Sequence, residues 1–214
     1  MWNRREIKRT AKGVFRANYW KCFLIAVLIG LFGHIGYILF EGEFLPDSSG
    51  RLSMLLMGLV LLGGAILLNP MEIGAQRFFY KNLKGKAELG ELSYGFDRAY
   101  KNVVKIMFFR DLYVGLWTLL FIVPGIVKMY EYRMIPLLLA EYPDMPMQEA
   151  FALSKSMMMG NKFRTFLLDL SFLPWKLLNL CTLGIVGVFW TSPYTHQTDA
   201  ALYDALKVQK HPFN

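Results

Sequence analysis

Long apolar runs alternate with short basic or amphipathic stretches along this chain. A helix needs about 20 mostly apolar residues to cross the hydrocarbon core of a bilayer. The pattern therefore predicts an all-α fold: a polytopic membrane helical bundle of about six transmembrane helices, with amphipathic interfacial helices between them. The predicted spans are residues 22–40, 52–69, 103–124, 125–141, 163–181 and 183–205.

The third predicted span could start at either of two residues. Counting from Asp111 to Pro124 gives a short helix of about 20 Å, at roughly 1.5 Å per residue. Counting from Val103 gives a full span, which then includes Lys105 and Arg110 as well as Asp111. The side chains of Arg110 and Asp111 could snorkel or pair with neighbours.

The sixth span changes character at Pro193. Its first half is apolar, whereas its second half is polar and contains Tyr194, His196, Asp199 and Tyr203. Such a helix either emerges into the cytosol or lines a protected cavity.

The segment from Phe109 to Tyr142 is interpreted as a membrane hairpin. Its two apolar halves meet at Pro124-Gly125, because proline lacks the N–H of a helix interior and glycine gives a turn its backbone freedom. Charges inside such a segment normally face protein or trapped water, and they suggest function. The second half carries Lys128, Glu131 and Arg133.

Residues 2–20 predict a basic amphipathic helix. One stripe is apolar at helical spacing and consists of Ile7, Ala11, Val14 and Phe15. A helix of this kind lies in the membrane interface, where its basic face contacts anionic lipids. The predicted headgroup contacts are Arg4, Arg5, Lys8, Arg9, Lys12 and Arg16.

Two further stretches are amphipathic. Residues 88–103 place six apolar or aromatic side chains on one helical face, and residues 144–160 place five on another. Pro146 suits the start of the second helix and Gly160 suits its end. The two faces consist of Leu89, Leu92, Phe96, Ala99, Tyr100 and Val103, and of Met147, Ala150, Phe151, Met157 and Met158.

We interpret residues 1–214 as one integral membrane domain. It divides into an interfacial helix (1–20), a first hairpin (22–69), a second unit (88–142) and a third unit (144–207). Three units share the order amphipathic helix, Phe-Arg pair and two apolar segments, which suggests a parallel internal repeat. Alternating basic and apolar stretches in any small polytopic protein would give the same order. The Phe-Arg pairs are Phe15-Arg16, Phe109-Arg110 and Phe163-Arg164.

The composition supports a membrane class. Hydrophobic residues make up 55% of the chain and charged residues 19%, and the formal net charge is +8. The basic residues flank the apolar segments, as the positive-inside rule requires, so we expect a multi-pass plasma-membrane protein with both termini in the cytoplasm. Residues 41–51 form an acidic loop that we place outside. We expect membrane lipids as partners, together with a membrane protein or a homo-oligomer, and no nucleic acid.

Motifs for catalysis are absent from the sequence: there is no glycine-rich phosphate loop, no HExxH and no GxSxG. We therefore expect no enzymatic activity, no catalytic residues, no cofactor and no metal. Lys128 and Glu131 are three residues apart, and Asp169 and Lys176 are seven apart, so each pair suits buried charge compensation. The alternative is a polar pathway through the membrane, lined by Lys128, Glu131, Arg133, Asp169, Lys176, His196 and Asp199.

Three stretches carry a family resemblance. VPGIVKMYEYRMIPLLLAEYPD, EAFALSKSMMMGNKFRTFLLDLSFLPWKLL and LGIVGVFWTSPYTHQTDAALYDALK together resemble the bacterial membrane proteins of domain-of-unknown-function family 975. The basic N-terminal helix matches as well, so the resemblance extends over nearly the whole chain. It implies a bacterial multi-pass membrane protein with no established activity, and it supplies no catalytic residues.

Two functions from different classes follow. The first is a non-enzymatic accessory or scaffold protein that binds anionic lipid or a membrane partner through its basic surface helices. The second is a small oligomeric transporter or channel that uses the charged intramembrane pathway.

Overall fold

A computed structural model describes most of the chain, and the described part is helical. It covers residues 2–41, 50–85, 87–97, 99–182 and 184–210, with side chains described except at 31–41, 50–62, 65 and 210. The all-α class is confirmed. The helices are α1 Arg4–Ala17, α2 Tyr19–Glu41, α3 Gly50–Leu83, a 3-10 helix Leu89–Ser93, α4 Tyr94–Asp97, α5 Tyr100–Leu120, α6 Ile122–Glu131, α7 Ile135–Glu141, α8 Met147–Met158, α9 Lys162–Leu170, α10 Leu173–Cys181, a π-helix Gly187–Thr191 and α11 Ser192–Lys210.

The core lies around the C-terminal half of α3 and around α11. Helix α3 contacts α2, α5, α7 and α11, and α1 packs along α11. Phe78, Phe79 and Tyr203 are among the largest side chains that are completely buried there. Two buried amides join the helices, since Asn82 Nδ2 donates to Gln197 Oε1 over 2.8 Å. The amide pair therefore satisfies polar groups inside an apolar core, where an unpaired group would be costly.

The apolar stripe of α1 is confirmed as one helical face, because Ile7, Ala11 and Phe15 are all buried. The stripe is covered by protein, however. Phe15 packs edge-on against Trp190, with ring centroids 5.2 Å apart, and stacks on Tyr194 at 6.2 Å. The interpretation of this helix as an independent interfacial anchor is therefore wrong in one respect: its apolar face packs against α11 and the preceding π-helix.

Within the residues that the structure describes, no single helix combines the length and the apolar composition of a membrane span. One pair meets both conditions together, namely Arg4–Ala17 with Tyr19–Gly30, and these two helices are bent by 99°. The predicted spans at residues 22–40 and 52–69 fall on α2 and α3, and most of their side chains lie outside the described residues. Most of the predicted outer loop, residues 42–49, also lies outside them.

The three C-terminal predicted spans are not continuous helices. Residues 125–141 divide into α6 and a buried α7, residues 163–181 divide into α9 and α10, and residues 183–205 divide into a π-helix and α11. Pro136 and Pro174 lie in the first turns of α7 and α10, where a missing N–H costs no helical hydrogen bond. Each of these two prolines therefore lies at the start of a new helix.

The polar half of the sixth predicted span is buried in the protein. Gln197 and Thr198 are almost completely inaccessible, as are Leu202 and Tyr203 in the following turn. This half of the span thus packs within the protein, because α11 contacts α1 and α3.

The single helix predicted for residues 88–103 is wrong. The segment divides into a 3-10 helix, α4 and α5, and Leu89 and Phe96 are exposed. Close backbone contact with α3 explains the break. A Cβ on Gly74 would lie 2.2 Å from the Leu92 carbonyl oxygen, and one on Gly95 would lie 2.1 Å from that of Pro70.

The helix predicted for residues 144–160 is confirmed as α8. Ala150, Met157 and Met158 are buried on its inner face, and Met147 and Phe151 are half-buried. Gly160 follows the end of the helix with a φ of 74°, which is a left-handed conformation that favours glycine.

The hairpin around Pro124 has a different turn from the predicted one. The chain reverses at Phe121, which is extended (φ −153°, ψ 132°) between α5 and α6, and Pro124 lies in the first turn of α6. Gly125 instead allows the two helices to touch, because a Cβ there would lie 2.3 Å from the Thr118 hydroxyl oxygen.

The Phe-Arg pairs do not occupy equivalent places. Phe15-Arg16 ends α1, Phe109-Arg110 lies in the middle of α5, and Phe163-Arg164 begins α9. These pairs therefore give no support to the internal repeat.

Candidate functional site

Arg133 is the centre of a charge cluster that joins three parts of the fold. It lies in the turn between α6 and α7, and its Nη1 and Nη2 atoms donate to Asp169 of α9 over 2.5 and 2.9 Å. Its Nη2 also donates to Asp199 of α11 over 2.7 Å. The hydroxyl of Tyr130 donates a third hydrogen bond to Asp169, over 2.7 Å. A planar guanidinium is suited to holding two carboxylates in this way.

A second cluster surrounds the buried carboxylate of Glu131. Lys128, one turn earlier on α6, lies 2.7 Å from Oε2, and Lys162 of α9 lies 2.5 Å from Oε1. The predicted pairing of Lys128 with Glu131 is confirmed. Lys162 was missed, because nothing in its local sequence marks it as a partner of a residue on α6.

The predicted pairing of Asp169 with Lys176 is wrong. A spacing of seven residues places two side chains on one face only in a continuous helix, and here the helix ends at Leu170 and restarts at Leu173. Asp169 pairs with Arg133, and Lys176 is exposed on α10. Of the seven predicted pathway residues, Lys176 and His196 thus belong to neither cluster.

Arg133, His196 and Asp199 line one cavity of about 540 Å³. Its opposite wall carries a third charge cluster, in which Arg110 of α5 contacts Glu72 at 3.2 Å and Asp111 at 2.7 Å. Sequence reasoning allowed for pairing of Arg110 and Asp111 but missed Glu72. The remaining lining residues are Gln76, Val114, Gly115, Met129, Tyr132, Pro136 and Leu137.

The chemistry of this cavity is that of charge compensation. His196 stacks on Phe79, with ring centroids 5.3 Å apart. Within the described ranges, no group of three or more His, Cys, Asp or Glu side chains is placed to hold a metal ion. Partly exposed carboxylates that are paired in this way join neighbouring helices, and a pathway would require these ion pairs to exchange.

Comparison with known families gives one match. The model of a family described as protein of unknown function (DUF975) matches residues 113–210. These residues belong to the DUF975 family. The predicted resemblance is confirmed over this range, which begins within α5 and therefore does not include the basic N-terminal helix. No curated protein and no solved structure matches the chain.

The DUF975 region contains all of the Arg133 cluster. Arg133, Asp169 and Asp199 fall between residues 113 and 210, whereas Glu72, Arg110 and Asp111 on the opposite wall of the cavity precede the match. The matched region thus supplies most of the cavity lining, and α3 with the preceding part of α5 supplies the rest.

The DUF975 region also presents exposed apolar helix ends. At the turn between α5 and α6, Leu119 is 86% exposed and Ile122 is 71% exposed. Around the turn between α10 and the π-helix, Leu180 is 76% exposed and Ile185 is 62% exposed. Contiguous exposed apolar residues mark interaction or membrane surfaces. The neighbours that extend the first end are Leu116, Leu120, Phe121 and Val123.

The basic residues predicted to contact lipid divide into two groups. Arg5, Arg9, Lys12 and Arg16 are exposed on α1, together with Arg4. Lys8 points into the protein, where its Nζ donates to Ser171 Oγ over 3.0 Å. Burial, together with the neighbouring charges of Arg4 and Lys12, lowers the pKa of Lys8. Lys8 is therefore a contact within the protein, in contrast to its predicted role at the headgroups.

Proposed function

We propose that this protein is an integral protein of the bacterial plasma membrane that acts without catalysis, as an accessory or scaffold that holds anionic lipid or a membrane partner. The observation that carries the proposal is the exposed apolar end of the α5–α6 hairpin. Exposure of Leu119 and Ile122 to water would be unfavourable by about 25 cal/mol for each Å² of apolar surface. A bilayer removes that cost.

The lengths of the helices favour a hairpin that enters the membrane from one side. Helix α6 has 10 residues, which corresponds to about 15 Å at 1.5 Å per residue. The hydrocarbon core is roughly 30 Å thick. Residues 22–69 would supply the spanning segments, and both termini would lie in the cytoplasm.

The basic face of α1 would add electrostatic attraction. Because the apolar stripe of α1 is buried against protein, this helix would lie at the surface through its charges. Each exposed basic residue near an anionic membrane contributes about 1 kcal/mol. Arg5, Arg9, Lys12 and Arg16 are available for this contact.

The test is alkaline carbonate extraction of membranes from cells that express the protein. The wild type should stay in the membrane pellet. In the double variant Leu119→Asp/Ile122→Asp, each substitution at the centre of a membrane helix costs about 3 kcal/mol. Chains whose hairpin fails to insert should be degraded, so the pellet should contain much less of this variant, although residues 22–69 would still hold the intact chains there. The matched control is Val208→Asp, which places the same charge on a side chain that is 62% exposed near the end of α11.

Wild-type protein in the supernatant would refute membrane integration. Equal amounts of the double variant and of Val208→Asp in the pellet would show that the hairpin end has no special part in membrane integration. Native mass spectrometry of the solubilised protein would then address the accessory role, since a second protein at fixed stoichiometry identifies the partner.

A second candidate function is a small oligomeric transporter or channel. The observation that favours it is the cavity of about 540 Å³ that Arg133, His196 and Asp199 line. On this hypothesis Asp169→Asn would abolish flux in proteoliposomes while the protein still folds. On the accessory hypothesis the same variant loses stability, because Asp169 accepts three hydrogen bonds from Arg133 and Tyr130.

A further inference from the structure

A surface cavity of about 440 Å³ lies where the start of α1 meets α9. The indole Nε1 of Trp2 donates to Asn161 Oδ1 over 2.9 Å, just before α9, and Arg4 Nη1 donates to the Leu167 carbonyl over 3.4 Å. These two contacts hold the beginning of the chain against α9. The cavity between them is lined by Trp2, Asn3, Arg4, Arg5, Arg164 and Leu167.

The lining carries three guanidinium groups and no carboxylate. In the described part of the chain, none of Arg4, Arg5 and Arg164 forms a salt bridge with an acidic side chain. Glu6 follows Arg5 in the sequence but lines a neighbouring cavity. Three like charges at one cavity are unfavourable unless an anion compensates them.

Arg164 gives the most specific indication that an anion binds in this cavity. Its Nη1 atom is buried and has no hydrogen-bond partner among the described residues. A buried guanidinium nitrogen without a partner costs free energy that a bound acceptor would restore. Arg4 and Arg5 approach the same cavity from α1, so an acceptor there could be reached from two helices.

We propose that Arg4, Arg5 and Arg164 form a binding site for a phosphate group. The planar fork of arginine matches the oxygens of a phosphate, which offers several strong acceptors to converging donors. Phe163 and Phe166 are exposed on α9 near Arg164 in the sequence and outside the cavity lining, where they could contact the acyl chains of a bound phospholipid. The lipid source rests on the proposed membrane function, whereas a free phosphate source does not.

The experiment measures binding to the full-length protein in neutral detergent, with three probes. Isothermal titration calorimetry compares dihexanoyl phosphatidylglycerol, dihexanoyl phosphatidylcholine and inorganic phosphate. The test variants are Arg164→Gln and Arg5→Gln, and the control is Lys155→Gln, which removes one positive charge from an exposed position of α8 outside the cavity. The exposed Arg5 serves as an independent test if Arg164→Gln unfolds, as judged by circular dichroism.

We expect phosphatidylglycerol to bind to the wild type. Each test variant should bind it roughly ten- to hundredfold more weakly, because the variant loses a charge-assisted hydrogen bond. Lys155→Gln should change binding less than twofold. Binding of inorganic phosphate with the same variant pattern, and without preference for the lipid, would retain the site and assign it to free phosphate. Equal losses in the test and control variants, or no binding of any phosphate probe, would overturn the proposal. Because the protein stays in detergent, none of these results depends on membrane integration, which carbonate extraction tests separately.

Discussion

Replacement of Arg133 by methionine tests whether the charge cluster is structural. Methionine keeps a long apolar stem but removes the guanidinium, so Asp169 and Asp199 lose the cation between them. Removing one partner from a buried ion pair costs about 3–5 kcal/mol, because the remaining charge is left uncompensated. The side chains of Arg133, Asp169 and Asp199 are 22, 27 and 25% exposed. Partial contact with solvent places the expected loss at the lower limit, about 3 kcal/mol.

The assay is reversible unfolding in mixed micelles of neutral detergent with increasing dodecyl sulfate, followed by circular dichroism. Lys176→Met is the matched control, since Lys176 is exposed and has no ion pair among the described residues; its expected change is within about 0.5 kcal/mol. Arg133→Lys should be intermediate, because a lysine cannot donate to both carboxylates with a fixed fork.

A loss smaller than about 1 kcal/mol for Arg133→Met would refute this reasoning, because a buried pair broken on one side cannot be that inexpensive. If Arg133→Met left the stability unchanged and abolished flux in proteoliposomes, the result would favour the transporter hypothesis.

The remaining predictions concern packing. Gly125→Ala should lower the free energy of unfolding by about 2 kcal/mol, because the added Cβ would lie 2.3 Å from the Thr118 hydroxyl oxygen; Gly115→Ala, with open space around its Cβ, should cause no loss in the same unfolding assay. Gln197→Leu should lower the free energy of unfolding by about 2 kcal/mol, since it removes the acceptor of the buried Asn82 amide. A loss below about 0.5 kcal/mol would show that Asn82 finds another partner in this variant. The isosteric Gln197→Glu variant keeps the acceptor oxygen, so in that variant Asn82 would need no other partner.

Local periodicity predicted the faces of several helices correctly. Ile7, Ala11 and Phe15 are spaced for one face of a helix, and that face is buried. What covers the face could not be predicted in the same way, because Trp190 and Tyr194 lie far along the chain. Local spacing thus determines which side is apolar, and tertiary packing determines whether lipid or protein meets it.

The predicted charge pairs show the same limit. Lys128 and Glu131 lie within one helix, so their spacing in the sequence was sufficient to predict the ion pair. Asp169 finds its partner in Arg133, 36 residues earlier, because the break after Leu170 separates Asp169 from Lys176. Likewise, Pro124-Gly125 indicated a hairpin, but the turn lies at Phe121, and Gly125 is required by contact with Thr118.

The most direct test of the account is the depth of the α5–α6 hairpin end in a bilayer. A bimane label would be attached to Ile122→Cys in a Cys181→Ser background, in which the native Cys22 is buried, with Val208→Cys as the control site. Lipids brominated along the acyl chain should quench the label at position 122 and leave the label at position 208 unaffected, whereas aqueous iodide should quench only position 208. Quenching of position 122 by iodide and not by brominated lipid would contradict the proposed membrane function.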